Sequence, residues 1–330
     1  MRGLRAPVRS AARSFRPAPY DGLVAAALES VSRRARLAGS NTWDVRLSAR
    51  QVVRATVQAE WLVLESEPPR RVQNQWKREY GAAALLRRHR ALPGNVKFVL
   101  GDAMRASPLR LRAEVPLPDH GQSEADSAEP FAVQVDRAID SIGAAHSLEP
   151  TDATKSSESE ELSASAGNGA GVLPAVATMC AEAGWVVQGT TAAPRVTLAA
   201  DGFRQAVVSS GPGPHDIRLL LNLYDDLPEV SVAVSQRAAA LLLLRTGSVV
   251  RLVRPLIAEP QEEIGYEVRL TRPPAESLVH ALNALSLAAR HSAMEAEALA
   301  DPRLAAAYVA SFDNEAAHHT LTKGATWATG

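Results

Sequence analysis

A chain of 330 residues, 46% hydrophobic and 22% charged, carries enough apolar side chains for a packed core and has room for two domains at the usual ~100–200 residues each. The formal net charge is zero, which leaves no whole-chain basic footprint for nucleic acid. One cysteine, Cys180, excludes an intramolecular disulfide framework and a multi-cysteine metal site, and the longest apolar run, Ala238 to Leu244, falls far short of the ~18–20 residues of a membrane span.

Residues 1–19 hold Arg2, Arg5, Arg9, Arg13 and Arg16 with no acid, and Pro7, Pro17 and Pro19 interrupt any helix. They read as a disordered basic tail, with an organellar transit peptide as the alternative. There is no apolar core of a secretory signal, so the expected location is the cytoplasm. Leu23, Ala27, Leu28, Val31 and Ala35 fall at helical spacing within 20–38, and Gly39 is a natural stop. Trp43, Val45 and Leu47 alternate as in a half-buried strand, and 50–57 and 60–66 add two more strands around a short connection near Gln58-Ala59. Residues 70–90 predict a helix closed by Pro93-Gly94. Strands follow at 95–101 and 108–117, and Phe131, Val135, Ala138, Ile139 and Ile142 space out a further helix.

Residues 150–171 are Ser, Ala, Gly and Glu with almost no large apolar side chain, the composition of a flexible linker. Beyond it the order repeats. A helix spans about 172–183, strands about 185–199, 203–209 and 217–224, and a helix about 231–245. Strands at about 248–257 and 263–271 and a long helix after Pro273-Pro274 complete it, and Asp301-Pro302 opens a short helix to about Phe312. Residues 313–330 read as a second disordered tail. The expected domains are therefore 20–149 and 172–312, each α-β-β-β-α-β-β-α, an α+β class with an antiparallel sheet packed by helices.

Local sequence supports a duplication. Val45 to Val53 matches Val196 to Val207, with Arg50-Gln51 on Arg204-Gln205. Ala82 to Leu86 matches Ala238 to Leu242, and Gly94-Asn95-Val96 matches Gly247-Ser248-Val249, all at similar offsets. The charge splits between the halves. Residues 1–149 hold 23 basic against 16 acidic side chains and residues 150–330 hold 13 against 20, a net +7 facing a net −7. Arginine outnumbers lysine 32 to 4, as in a GC-rich genome.

This element order, with a Trp-containing first strand and a Gly-containing approach to the fourth, resembles the class I type III secretion chaperones and their YbjN-like relatives over about 20–149 and again 172–300. The resemblance implies small binding proteins, often dimers, that hold extended segments of another protein. Two copies in one chain would then form an intramolecular pseudo-dimer. The basic first copy departs from the acidic character of those families.

No residue pattern demands chemistry. His318-His319 lie in the tail, and His280 and His291 sit about three turns apart on one helix, ~16 Å, too far to share an ion. Cys180 lies among Val176, Ala177 and Met179 as a buried thiol would. Gly167-Asn168-Gly169 lacks a flanking strand and helix, and Asp225-Asp226 and Glu262-Glu263 are neighbours in turns. The expectation is no catalytic residue, no metal and no cofactor. Aromatics are only 5% of the chain, so Trp43, Trp61, Trp76 and Trp185 stand out, the first and last as core. Trp61, together with Trp76, Arg87, Arg88 and Arg90 of the Arg-rich 70–90 helix, are the candidate contact residues. The functional expectation is a non-enzymatic adaptor that binds a protein or peptide as a monomer with paired halves. Nucleic acid or an anionic surface bound by the basic first half is the alternative.

Overall fold

The computed structural model describes residues 21–31, 35–49, 51–76, 78, 80–100, 109–118, 129–148, 172–190, 193–198, 204–211, 216–223, 233–258, 263–271 and 275–312. Both tails and the 150–171 linker lie outside them. The first half runs α1 (Asp21–Val31), β1 (Ala35–Gly39), β2 (Thr42–Arg46), β3 (Val52–Gln58), β4 (Trp61–Ser66), α2 (Arg70–Trp76), α3 (Gly81–Arg88), a 3-10 turn (His89–Ala91), β5 (Lys97–Leu100), β6 (Leu109–Pro116) and α4 (Phe131–Ser147). The second runs α5 (Val172–Glu182), β7 (Val187–Thr190), β8 (Ala193–Thr197), β9 (Gln205–Ser210), β10 (Asp216–Asn222), α6 (Ala233–Val249), β11 (Arg254–Ala258), β12 (Glu263–Thr271) and α7 (Ala275–Leu299). A last helix, α8, covers 302–312.

The class is α+β, with two six-stranded sheets ordered β1-β2-β3-β4-β6-β5 and β11-β12-β10-β9-β8-β7. Every adjacent pair is antiparallel. Numbered within its own half, each sheet follows the order first, second, third, fourth, sixth, fifth. The alternation read in the sequence is visible in burial. Trp43, Val45, Val53, Ala55, Leu62 and Leu64 point to one face of the first sheet, where α4 packs with α1 against it. Val196, Ala206, Val208, Leu219, Leu221 and Val268 point to the face of the second sheet under α5 and α7.

The sequence expectation of five strands per half is corrected to six. Ala35, Leu37 and Ala38 are good helix formers, but the chain leaves α1 and turns tightly at Ser40-Asn41, with Asn41 at φ 54°. Ala35 to Gly39 then pairs with Thr42 to Val45, so sheet pairing overrides helix propensity. Likewise the single strand expected at 185–199 is a hairpin, with Thr190 opposite Ala193. The hairpin expected near Gln58-Ala59 forms with Gln58 opposite Trp61 and Ala59 at φ 53°.

The single helix expected over 70–90 is also corrected. It breaks between α2 and α3, because the two approach so closely that a Cβ on Gly81 would lie 2.0 Å from the Gln75 carbonyl oxygen and 2.7 Å from the Trp76 backbone. Only glycine fits there. Gly81→Ala is expected to destabilise the protein by about 1–3 kcal/mol as the two helices are forced apart. The check is a lower urea midpoint, and an unchanged midpoint would refute the close approach.

Candidate functional site

The strongest concentration of buried polar groups lies where the halves meet. α3 of the first half packs on β11 of the second, and α6 of the second packs on β5 of the first. α3 also packs on α6, and β5 touches β11. Each contact has its counterpart with the halves exchanged, the relation expected across a twofold axis. α6 lies at the centre. Ala238 to Leu244 are all at 0% exposure, seven consecutive residues, so this helix is apolar all round and needs cover from every side.

Two buried cations fasten the joint. Lys97 on β5 is 1% exposed, and its Nζ sits 2.9 Å from the Glu114 carboxylate on β6. It also donates to the carbonyl oxygens of Val250 and Val253, at 3.3 and 3.1 Å, in the segment of the other half that leads into β11. Arg254 on β11 is 3% exposed and pairs with Glu267 on β12 at 2.9 Å. It donates to the carbonyl oxygens of His89, Leu92 and Gly94, in the segment that leads into β5. Each half thus sends a cation, held by a glutamate of its own sheet, into the backbone carbonyls of the other. A charge withdrawn from water in this way is tolerable only when paired and hydrogen-bonded.

The surrounding groups extend both pairs. Glu114 accepts the Leu252 N–H at 2.7 Å, holding Leu252 in a left-handed conformation at φ 64°. Arg112 reaches the Ser248 carbonyl at 2.7 Å while paired with Glu65, and Arg251 reaches Gln58 at 2.8 Å. Glu267 is clasped also by Arg218 and Arg269, at 2.6 and 3.0 Å. Burial alone would raise the pKa of Glu267; Arg254, Arg269 and Arg218 outweigh it and hold it below the usual glutamate value. Burial lowers the pKa of Lys97 from the ordinary lysine value, against the pull of Glu114.

His89 closes the inner edge of each sheet. It is fully buried and stacks on Phe98 with ring centroids 5.3 Å apart. Its Nε2 accepts the Phe98 N–H at 2.6 Å, so Nδ1 carries the proton and donates to the Pro255 carbonyl across the joint. The next outward N–H of β5, on Leu100, donates to Ser248 Oγ at 2.8 Å. Pro255 on β11 has no N–H to leave unpaired. Burial, then the nearby Arg254, keeps the pKa of His89 well below the usual histidine value. A protonated ring would also set Nε2–H against the Phe98 N–H.

The outer edges contrast with this. β1 and β7 are the last strands of their sheets, and each pairs with one neighbour among the described strands. Leu37 on β1 is 64% exposed and Val186, just before β7, 58%. On the first sheet's other face a single row crosses all six strands, with Lys97, Arg112, Glu65, Arg54, Asp44 and Arg36 in successive register. Arg54 pairs with Asp44 at 3.1 Å. Arg36 ends the row, exposed and with no ion-pair partner among the described residues.

The candidate contact residues divide. Trp61 opens β4, half-buried, and shares the open face with Glu65 by strand alternation. Trp76 is corrected: α2 turns it and Val72 into the core, at 6% exposure. Arg87 and Arg88 are half-buried at the end of α3, and burial, then Arg71, lowers the pKa of Arg88. The side chain of Arg90 and the His318-His319 pair lie outside the described residues. Cys180 is buried on α5, where burial pushes its thiol up to about 11. His280 is exposed on α7, whereas His291 meets Thr246 at 3.2 Å. Among the described residues no group of three or more His, Cys, Asp or Glu could hold a metal ion.

The sequence suggests paired halves but not the residues that join them. Its one available signal was the Ala238–Leu244 run, too apolar on every side for a helix lying on a single sheet. Together the fold and this joint define a class: an α+β protein of two antiparallel sheets clasped edge-to-edge through buried ion pairs. No protein-family model, curated protein or solved structure matched the chain.

Removing one partner of a buried pair leaves the other charge unpaired. Lys97→Met is therefore expected to cost about 3–5 kcal/mol in urea unfolding, and adding Glu114→Leu should return most of it. No recovery in the double variant would show that the carbonyl contacts, and not the pair, hold the joint. The depressed histidines set the acid response. His89 and His146, both lowered by burial, bind protons more readily in the unfolded chain. Stability is thus complete above the unfolded value of about 6.5 and falls as pH drops below it, by up to ~1.4 kcal/mol per unit for each histidine. Urea midpoints at pH 7.5, 6.5 and 5.5 test this, and His146→Gln should reduce the slope.

Proposed function

We propose that this chain is a non-enzymatic protein-binding module, adaptor- or chaperone-like, built from two copies of one ancestral domain that pair as an intramolecular pseudo-dimer. The common strand order of the two sheets supports the duplication. Further support comes from the matched segments. Gln51 directly precedes β3 and its match Gln205 opens β9, and Ala82–Leu86 and Ala238–Leu242 lie in α3 and α6. The Gly94 match does not hold, since Gly94 precedes β5 whereas Gly247 lies within α6.

The observation that carries the binding reading is the contrast between the two kinds of edge. The inner edges are capped by His89, Ser248 and Pro255, whereas β1 and β7 each have one strand neighbour among the described residues and lie beside exposed Leu37 and Val186. An open edge recruits an extended segment by main-chain hydrogen bonds, and side-chain complementarity selects which one. At β1 the charge row ends on Arg36, so a carboxylate opposite it continues the alternation. Neighbouring residues of that segment would lie on the other face, beside Leu37. The ligand is therefore an extended protein segment with an acidic residue between two apolar ones.

A peptide of alternating valine and glutamate is expected to bind in calorimetry, and its valine–lysine counterpart to bind at least tenfold more weakly. Arg36→Glu should reverse the preference. Equal affinity for both peptides, or RNA competing with the acidic peptide for the same site, would overturn this reading in favour of a general anion-binding surface.

A further inference from the structure

We propose that the joint is a self-recognition surface that closes between two copies of this chain as well as within one, giving a reciprocally paired dimer in which each first half is clasped by the other copy's second half. Each half brings its own sheet and its own helices, α4 with α1 packed on it in one and α5 and α7 in the other. The contacts across the joint come from α3, β5, the segment leading into it and β6 on one side, and from α6, β11 and the segment leading into it on the other. None of these contacts depends on the two halves belonging to the same chain. The covalent connection is the segment between Leu148 and Val172, rich in Ser, Ala, Gly and Glu.

That tether sets which closure wins. A covalent tether presents the second half to the first at an effective concentration in the millimolar range. At micromolar protein, pairing within the chain prevails. Without the tether, the same surfaces meet only in a second copy. An unpaired half is disfavoured in water, because it would expose either the edge of β5 and the joint face of α3, or the edge of β11 and the apolar face of α6 that packs on α3 and β5. Two copies satisfy each other completely, with two identical joints and no inner edge left over.

The full chain should run as a monomer by light scattering at 10 µM. A variant lacking residues 149–171 should have twice the mass expected of one copy, with an unchanged circular dichroism spectrum. Two differently tagged forms of that variant, refolded together, should yield dimers carrying both tags. Lys97→Glu in the shortened variant should abolish the dimer, while Arg36→Glu should leave it intact, which separates the joint from association through β1. As a second measurement, a protease site placed within 155–165 of the full-length chain lets the tether be cut after folding. The cut halves should co-elute at 10 µM and exchange with halves from a second, labelled preparation. A shortened variant that stays monomeric with the full chain's melting midpoint, or cut halves that separate or precipitate, would overturn the proposal.

Discussion

Two glutamates govern this structure. Glu114 and Glu267 lie on sheet strands, 6% and 1% exposed, where a lone carboxylate would be untenable. Each is neutralised by a cation from the neighbouring edge strand, and that cation is itself too buried to be hydrated. The cation's remaining protons need acceptors, and the nearest are carbonyl oxygens of the opposite half. Burial of one charge in each half therefore forces the two halves together in one register. The apolar contacts of α6 give the association strength, and the ion pairs give it position.

The edges follow from the same constraint. A sheet edge is a hazard unless it is covered, and here one edge of each sheet is covered by the other half. His89 joins both inner edges through one ring, accepting from Phe98 and donating to Pro255. A lysine in its place would have no acceptor to offer Phe98, and an aspartate would find no donor at Pro255. The imidazole is one of the few side chains that can do both at once while uncharged.

Much of the fold was legible in the sequence. Alternation at Trp43 and Val45 placed β2, and helical spacing from Phe131 to Ile142 placed α4. What escaped was decided by tertiary contact. Ala35 to Gly39 carries no strand signal and becomes β1 because β2 pairs with it. The break before Gly81 follows from how closely two helix backbones approach, a distance with no local signature. Trp76 stands among arginines in the sequence, which makes it a candidate contact residue, and its burial depends on which way α2 rolls. The joint escaped for a similar reason. Lys97, Glu114, Arg254 and Glu267 look like ordinary alternating strand charges until a second domain covers them.

The capping of β5 and β11 also fixes valence. With the inner margins consumed, β1 and β7 are the sheet margins left with one strand neighbour among the described residues, one per sheet. The two sites differ in chemistry, since one carries Arg36 and the other Gln188 opposite Arg195. On the binding reading proposed above, the two ends would be unlike sockets, and a single molecule would bridge two different extended chains through its opposite margins.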